Sequence, residues 1–266
     1  MRPIKPTDNS SISEELVIQR HGFSKRNPYT FFGEGPYLGF ELEVDCEEAP
    51  DNFWNILNAI FIKYKSDRYS VEKDGTLTHG VEIVFQPHSL TELKYYLTTE
   101  FSQVLQELKQ VGCQELAPKA GFHLHVSKTM FGEDEATQQE NVAKIWKLFS
   151  TYSDRIIAIG HRTNLKYSEF PQKPLEYKSL IKYKVCKEWT LRPRRARYQA
   201  INVINKNTVE FRCFQSSLDL RRLNFWIDFV HHVCLKSTTI TWEDAGNWDA
   251  WFSDFKHDSK LKQYIK

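Results

Sequence analysis

Four short stretches place acids or histidines in alternation with apolar residues. They are GFELEVD (39–45), GVEIVF (80–85), GFHLHVS (121–127) and TVEFRCF (208–214). Successive side chains of a β-strand point to opposite faces. Glu41, Glu43 and Asp45 then share one face, and Phe40, Leu42 and Val44 the other. His123, His125 and Ser127 oppose Phe122, Leu124 and Val126. Glu82 lies opposite Val81, Ile83 and Phe85, and Glu210 and Arg212 lie opposite Val209, Phe211 and Cys213.

For one strand alone, the wet face of an antiparallel sheet is explanation enough. Such faces usually carry Thr, Lys, Ser or Arg, however, and Asp is depleted in strands. If the four strands are neighbours, their carboxylates crowd one patch. Two unit charges about 4 Å apart repel by roughly 4 kcal/mol at an effective dielectric near 20. Such a cluster calls for cations, and oxygen donors with an imidazole suit Mg²⁺ or Mn²⁺ better than structural Zn²⁺. A carboxylate-held ion keeps positions open for phosphate oxygens. LRPRRARY (191–198) supplies the complement, with Arg192, Arg194, Arg195 and Arg197 joined by Arg212. These can neutralise phosphates in transfer. The bland alternative is a solvated loop or a nucleic-acid patch, because short basic runs are weak motifs.

The elements that must hold these residues alternate between strands and long helices. Asp51 can cap a helix over 51–65, with Phe53, Trp54, Ile56, Leu57, Ile60 and Phe61 at helical spacing. Ser89 and Glu92 fit a capping box, and Gly112 sits where that long helix should end. A helix over about 136–160 and another over 219–236 follow, and Asn205-Lys206-Asn207 is a hairpin turn between two strands. The expectation is an α+β fold, a largely antiparallel sheet with helices packed on one face. Residues 1–35 read as a lead-in in which Phe31 and Phe32 should pack, 36–240 as the main domain that carries these strands, and 241–266 as a tail packed on it. The net charge is +2, so nothing global demands nucleic acid or an anionic membrane. Five cysteines without a CxxC argue for reduced thiols. No apolar run approaches the roughly 18 residues of a membrane helix, and the N-terminus lacks the apolar core of a signal peptide. A soluble, cytoplasmic protein is expected.

The order GFELEV, KDGTL, GVEIVFQP, GFHLHVS, RYQAINV and NTVEFRCF resembles the amidoligase family. Its members are carboxylate–amine ligases with a glutamine synthetase or glutamate–cysteine ligase type of catalytic domain. The resemblance covers about residues 35–235. It implies a curved antiparallel sheet whose concave face binds ATP and two or more Mg²⁺ (or Mn²⁺) ions. It assigns Glu43, Asp74 and Glu82 to one ion and Glu41, His123 and Glu210 to the other. His125 and Ser127, with Arg195 and Asn202, would meet the nucleotide or its phosphates. Arg212 and Arg197 would stabilise charge on the transferring group or the substrate carboxylate. Asp74 departs from the family pattern, which has a longer acid there. The segments that specify glutamate and ammonia in glutamine synthetases are not evident.

The activity this implies is ATP-dependent formation of an amide or isopeptide-like bond through an acyl phosphate, with Asp45 as the base for the incoming amine. The partners are then ATP, a carboxylate and an amine on a small molecule, peptide or protein side chain. Three rivals carry other expectations: a metal-dependent phosphoesterase or nuclease, a guanidino-kinase-like phosphotransferase, and a non-catalytic binding relative. Trp54, Trp146 and Trp226 read as core rather than stacking platforms. One of His231 and His232 should pack and the other be solvated. HRTNLKY (161–167) can line a substrate pocket, as loops beside a rigid sheet often do.

Overall fold

The computed structural model describes residues 17–22, 24, 28–170 and 197–256. Seven strands form one open sheet: β1 Ile18–Gln19, β2 Leu38–Asp45, β3 Tyr69–Lys73, β4 Gly80–Phe85, β5 Gly121–Ser127, β6 Ile201–Asn202 and β7 Thr208–Gln215. Their spatial order is β1-β3-β4-β2-β5-β7-β6. Every pairing is antiparallel except β1 with β3. The fold is therefore mixed α/β with a mostly antiparallel sheet. Among the described residues no helix is long and apolar enough to cross a membrane.

The apolar alternation seen in the sequence builds the core. Phe40, Leu42, Ile83, Phe122, Leu124 and Phe211 are each at most 1 % exposed. Helices cover them: α1 Phe53–Lys63, α2 Leu90–Tyr96, α3 Ser102–Gln110, α4 Glu135–Thr151, α5 Ser153–Gly160, α6 Leu220–Ser237 and α7 Trp248–Phe252. Phe101 meets Phe85 edge to face at 4.8 Å, Phe149 lies 6.0 Å from Phe211, and Trp226 stacks on Phe122 at 5.9 Å. Each fully buried aromatic of this kind is worth roughly 1.5–3 kcal/mol. From the tail, Trp251 and Phe252 are buried, and Phe252 stacks on Phe229 of α6 at 5.5 Å.

Several local expectations change. Asn52, not Asp51, occupies the N-cap of α1, and no side chain there makes a capping bond. Ser89 does cap α2, accepting from the Glu92 amide at 3.4 Å, but a π-helical turn at Leu97–Phe101 separates α2 from α3. The helix expected over 136–160 divides at Tyr152 into α4 and α5. Phe32 stacks on His88 at 4.7 Å, while Phe31 stays 57 % exposed. Trp146 and Trp226 are core, but Trp54 is 39 % exposed beneath the Lys73 ammonium. His231 and His232 are both half-buried, and His232 Nε2 lies 2.7 Å from the Trp251 carbonyl.

The largest departure is in β7. Simple alternation sends Cys213 to the core face and Phe214 to the other. The register instead steps from Phe122 opposite Phe214 to Leu124 opposite Phe211, so two β7 residues face His123 alone. This is a β-bulge. It resets the alternation and lets Phe214 stack on Trp226 at 5.2 Å. Gly160 passes against the bulge, where a Cβ would strike the Cys213 carbonyl.

Candidate metal and phosphate site

The opposite face of the sheet gathers the polar residues into rows. Glu72, Glu82 and Glu43 are successive cross-strand partners on β3, β4 and β2. Glu41 faces His123 across β2 and β5. His125, Glu210 and Asn202 form the third row, on β5, β7 and β6. All of these except the buried Glu72 line the floor of a cleft of about 830 Å³, together with Asp74, Arg162, Arg197 and Arg212. A hollow of about 380 Å³ adjoins it, sharing Glu41 and His125 and walled by Tyr29, Phe31 and Tyr37.

The β5–β7 half of the floor is charge-compensated. The Arg212 guanidinium pairs with Glu210 and also donates through Nε to the Tyr167 carbonyl at 3.2 Å. Asn202 donates to the other Glu210 oxygen at 2.7 Å. Burial would raise the Glu210 carboxyl, but His125 and Arg212 hold it below the usual range. Burial likewise opposes Glu41, yet the adjacent His123 and His125 imidazoles keep its carboxyl well below the usual range. Their nearest approaches are 3.3 Å from His123 Nδ1 and 3.5 Å from His125 Nε2. Burial lowers the pKa of both imidazoles. Arg212 reinforces this at His123, whereas Glu210 and Glu41 reverse it at His125, whose pKa is raised.

The β3–β4 half has no such balance. Burial, followed by the charges of Glu41, Glu43, Asp74 and Glu72, pushes the Glu82 carboxyl up to about 9. Burial and neighbouring like charge both favour the neutral acid. Buried His123 also leaves its Nε2 without a hydrogen-bond partner, 3.8 Å from a Glu43 oxygen. Among the described residues four donor sets bring their ligand atoms within 4.8 Å of one another, and three of them lie along this floor: Glu43–Asp74–Glu82, Glu41–Glu82–His123 and Glu41–His125–Glu210. Oxygen-rich sets with one imidazole fit Mg²⁺ or Mn²⁺. The residues present therefore suit divalent cations.

The structure thus brings Glu41, Glu43, Asp74, Glu82, His123, His125 and Glu210 together. Both imidazoles lie beside Glu41 and Glu210: His125 shares a donor set with them, and His123 Nδ1 is 3.3 Å from Glu41 and 3.9 Å from Glu210. Arg197 lines the cleft with its guanidinium over the Tyr198 ring. Asn202 orients Glu210 and also accepts from the Ile204 amide. Ser127 borders the adjoining hollow and shares a hydrogen bond with Thr129. Arg195 lies outside the described residues, as do Arg192 and Arg194.

Asp45 has a different place. It is 3 % exposed, and its Oδ1 accepts from the amides of Cys46, Thr78 and His79 at 3.0–3.1 Å. It does not border the cleft. The geometry is that of a loop clamp, not of a base facing a substrate.

Two contributors escaped the sequence reading. Arg162, 5 % exposed, reaches the cleft and donates to the Phe214 carbonyl at 2.8 Å. It passes over Gly121, where a Cβ would collide with its guanidinium and with the His123 ring. Its only sequence signal was its place in the segment 161–167, expected to line a pocket. Glu72 completes the acidic row, and the alternation Ser70, Glu72, Asp74 carried that signal.

No protein-family model matches the chain, and no curated protein is similar to it. Among solved structures it is similar to one described as the crystal structure of a novel glutamine synthase homolog. The identity is 13 % and the TM-score 0.42, over 86 % of this chain. The chain spans 62 % of that protein's length.

Proposed function

We propose that the chain is an ATP-dependent carboxylate–amine ligase that makes an amide or isopeptide-like bond through an acyl phosphate. The observation that carries this reading is the strand register, which sets six metal-competent side chains on one floor, with Asp74 just beyond β3 and three arginines beside them. The order of the motifs, which resembles that of amidoligases, points from metal-assisted phosphate chemistry to ligation. Glu43, Asp74 and Glu82 would hold one ion, and Glu41 and Glu210 with an imidazole of His123 or His125 the other. Bound Mg²⁺ or Mn²⁺ would neutralise the phosphate oxygens of ATP and favour attack on the γ-phosphorus.

The chain's own groups do the rest. Arg212, held by Glu210 and the Tyr167 carbonyl, presents a fixed positive charge to the cleft. Arg162 is fixed in the same way by the Phe214 carbonyl. Such preorganised charges stabilise an anion in transfer without rearrangement. Asn202 keeps the Glu210 carboxylate turned toward the cleft. The more exposed Arg197 is placed to meet a substrate carboxylate.

The test uses the full chain with ATP, Mg²⁺ or Mn²⁺, a panel of carboxylates, and hydroxylamine as the amine. Ligation predicts a hydroxamate formed in step with ADP, lost in Glu82→Gln and Glu210→Gln. Hydrolysis of a phosphodiester without ATP would replace this reading with the phosphoesterase.

A further inference from the structure

We propose that His21, from the edge of the sheet, is an imidazole ligand of the divalent ion held at Glu82, and that it tilts this site toward Mn²⁺ over Mg²⁺. The inference rests on the proposed metal-dependent function and adds a residue from a segment that the sequence reading treated as a lead-in.

The geometry begins with Glu72. It is 1 % exposed on β3, and its two oxygens accept from the amides of Gly22 and Ser24. β1 pairs with β3, and the Val17 amide donates to Asn58 Oδ1 at 3.1 Å, which fixes the chain just before this turn. Gly22 takes φ +79°, a left-handed conformation natural to glycine. The clamp folds the chain from the sheet edge over the polar face. His21 thereby comes to line the cleft, its Nδ1 3.9 Å from Glu82 Oε2.

That spacing is too long for a hydrogen bond. It suits two donors of one ion, since ligand atoms about 2.1 Å from a cation lie no more than roughly 4.2 Å apart. His21, Glu72 and Glu82 form a donor set of their own within 4.8 Å. With both Glu72 oxygens engaged by backbone amides, Glu82 is the acid of that set with an oxygen to offer. An independent sign of a cation here is His123, which is buried to 1 % exposure and turns an unpartnered Nε2 toward Glu43, the cross-strand neighbour of Glu82.

The chemistry of selection follows from the donors. On one side Glu82 meets Glu43 and Asp74, an all-oxygen set that accepts Mg²⁺ readily, and on the other it meets the His21 imidazole. An added imidazole favours ions further along the divalent series, and Mg²⁺ gains least from it. The clamp by Glu72 thus ties the choice of metal to the docking of residues 17–24.

Calorimetric titration of the full chain with Mn²⁺ alone and with Mg²⁺ alone tests this, comparing wild type with His21→Ala and His21→Gln. His21 is largely exposed, so both variants should fold, which the thermal midpoint in EDTA checks. The expected result is about a tenfold loss of Mn²⁺ affinity, with Mg²⁺ affinity changed by less than about twofold. Equal losses for the two ions, or none, would overturn the role of His21 while leaving the metal site standing. A wild type that binds neither ion would overturn both this inference and the function proposed above.

Discussion

Glu43 on β2 and Glu82 on β4 are direct cross-strand partners, two acids side by side on a buried face. Like charges so placed are destabilising. The pair is tolerable in the free protein because Glu82, pushed up to about 9, keeps its proton at neutral pH.

A pH dependence follows for protein stripped of metal. The folded-state pKa of Glu82 lies above its ordinary value of 4.5, so the folded chain keeps a proton that the unfolded chain releases. Its contribution is fully present below about pH 4.5 and is lost as pH rises through about 9. Thermal midpoints in EDTA should decline over that window, and Glu82→Gln should flatten the decline. An unchanged slope in the variant would place the charge imbalance elsewhere.

Gly121 should tolerate no side chain. An added Cβ meets the Arg162 guanidinium and the His123 ring, both buried. Overpacking of this kind costs about 2 kcal/mol, so the denaturant midpoint of Gly121→Ala should fall accordingly. Mn²⁺ affinity should fall with it, because His123 is displaced; full retention would mean that His123 is no ligand.

Asp45 should behave as a structural residue. Asp45→Ala strips an acceptor from the amides of Thr78 and His79 and should cost about 3 kcal/mol in urea denaturation. Asp45→Asn keeps an oxygen there and should cost much less. Both variants should bind ATP and Mn²⁺ with wild-type affinity. Selective loss of turnover in a stably folded Asp45→Asn would restore its role as a base.

His88 supplies a pH dependence of the opposite slope. Burial lowers its pKa, and its Nδ1 lies 2.7 Å from the Gln86 carbonyl. The unfolded chain therefore takes up a proton first as the medium acidifies. The stability it contributes is present above about pH 6.5 and is lost as pH falls below that value. Midpoints measured from pH 7 to pH 5 should drop more steeply in wild type than in His88→Phe.

The rows of acids were legible because period-two alternation is a local property of β2, β4 and β5. Which rows meet is not local. The grouping of His125 with Glu41 and Glu210 depends on the inter-strand register. The bulge at Arg212–Cys213 was invisible for the same reason: only the packing of Phe214 on Trp226 decides where the alternation resets. Asp45 misled because it continues the Glu41–Glu43 alternation yet lies at the strand end, beside the amides of a turn. His21 carries no pattern of its own and is placed by a carboxylate fifty residues away.

Overlap among the donor sets limits how many of them could be filled at once. Glu82 belongs to three of the four and Glu41 to two, whereas Glu41–His125–Glu210 and Glu43–Asp74–Glu82 have no residue in common. Those two can fill together, and any other occupancy must borrow a carboxylate from one of them. Were the cluster to take divalent ions, the four sets found among the described residues would leave room for two at once without a shared carboxylate.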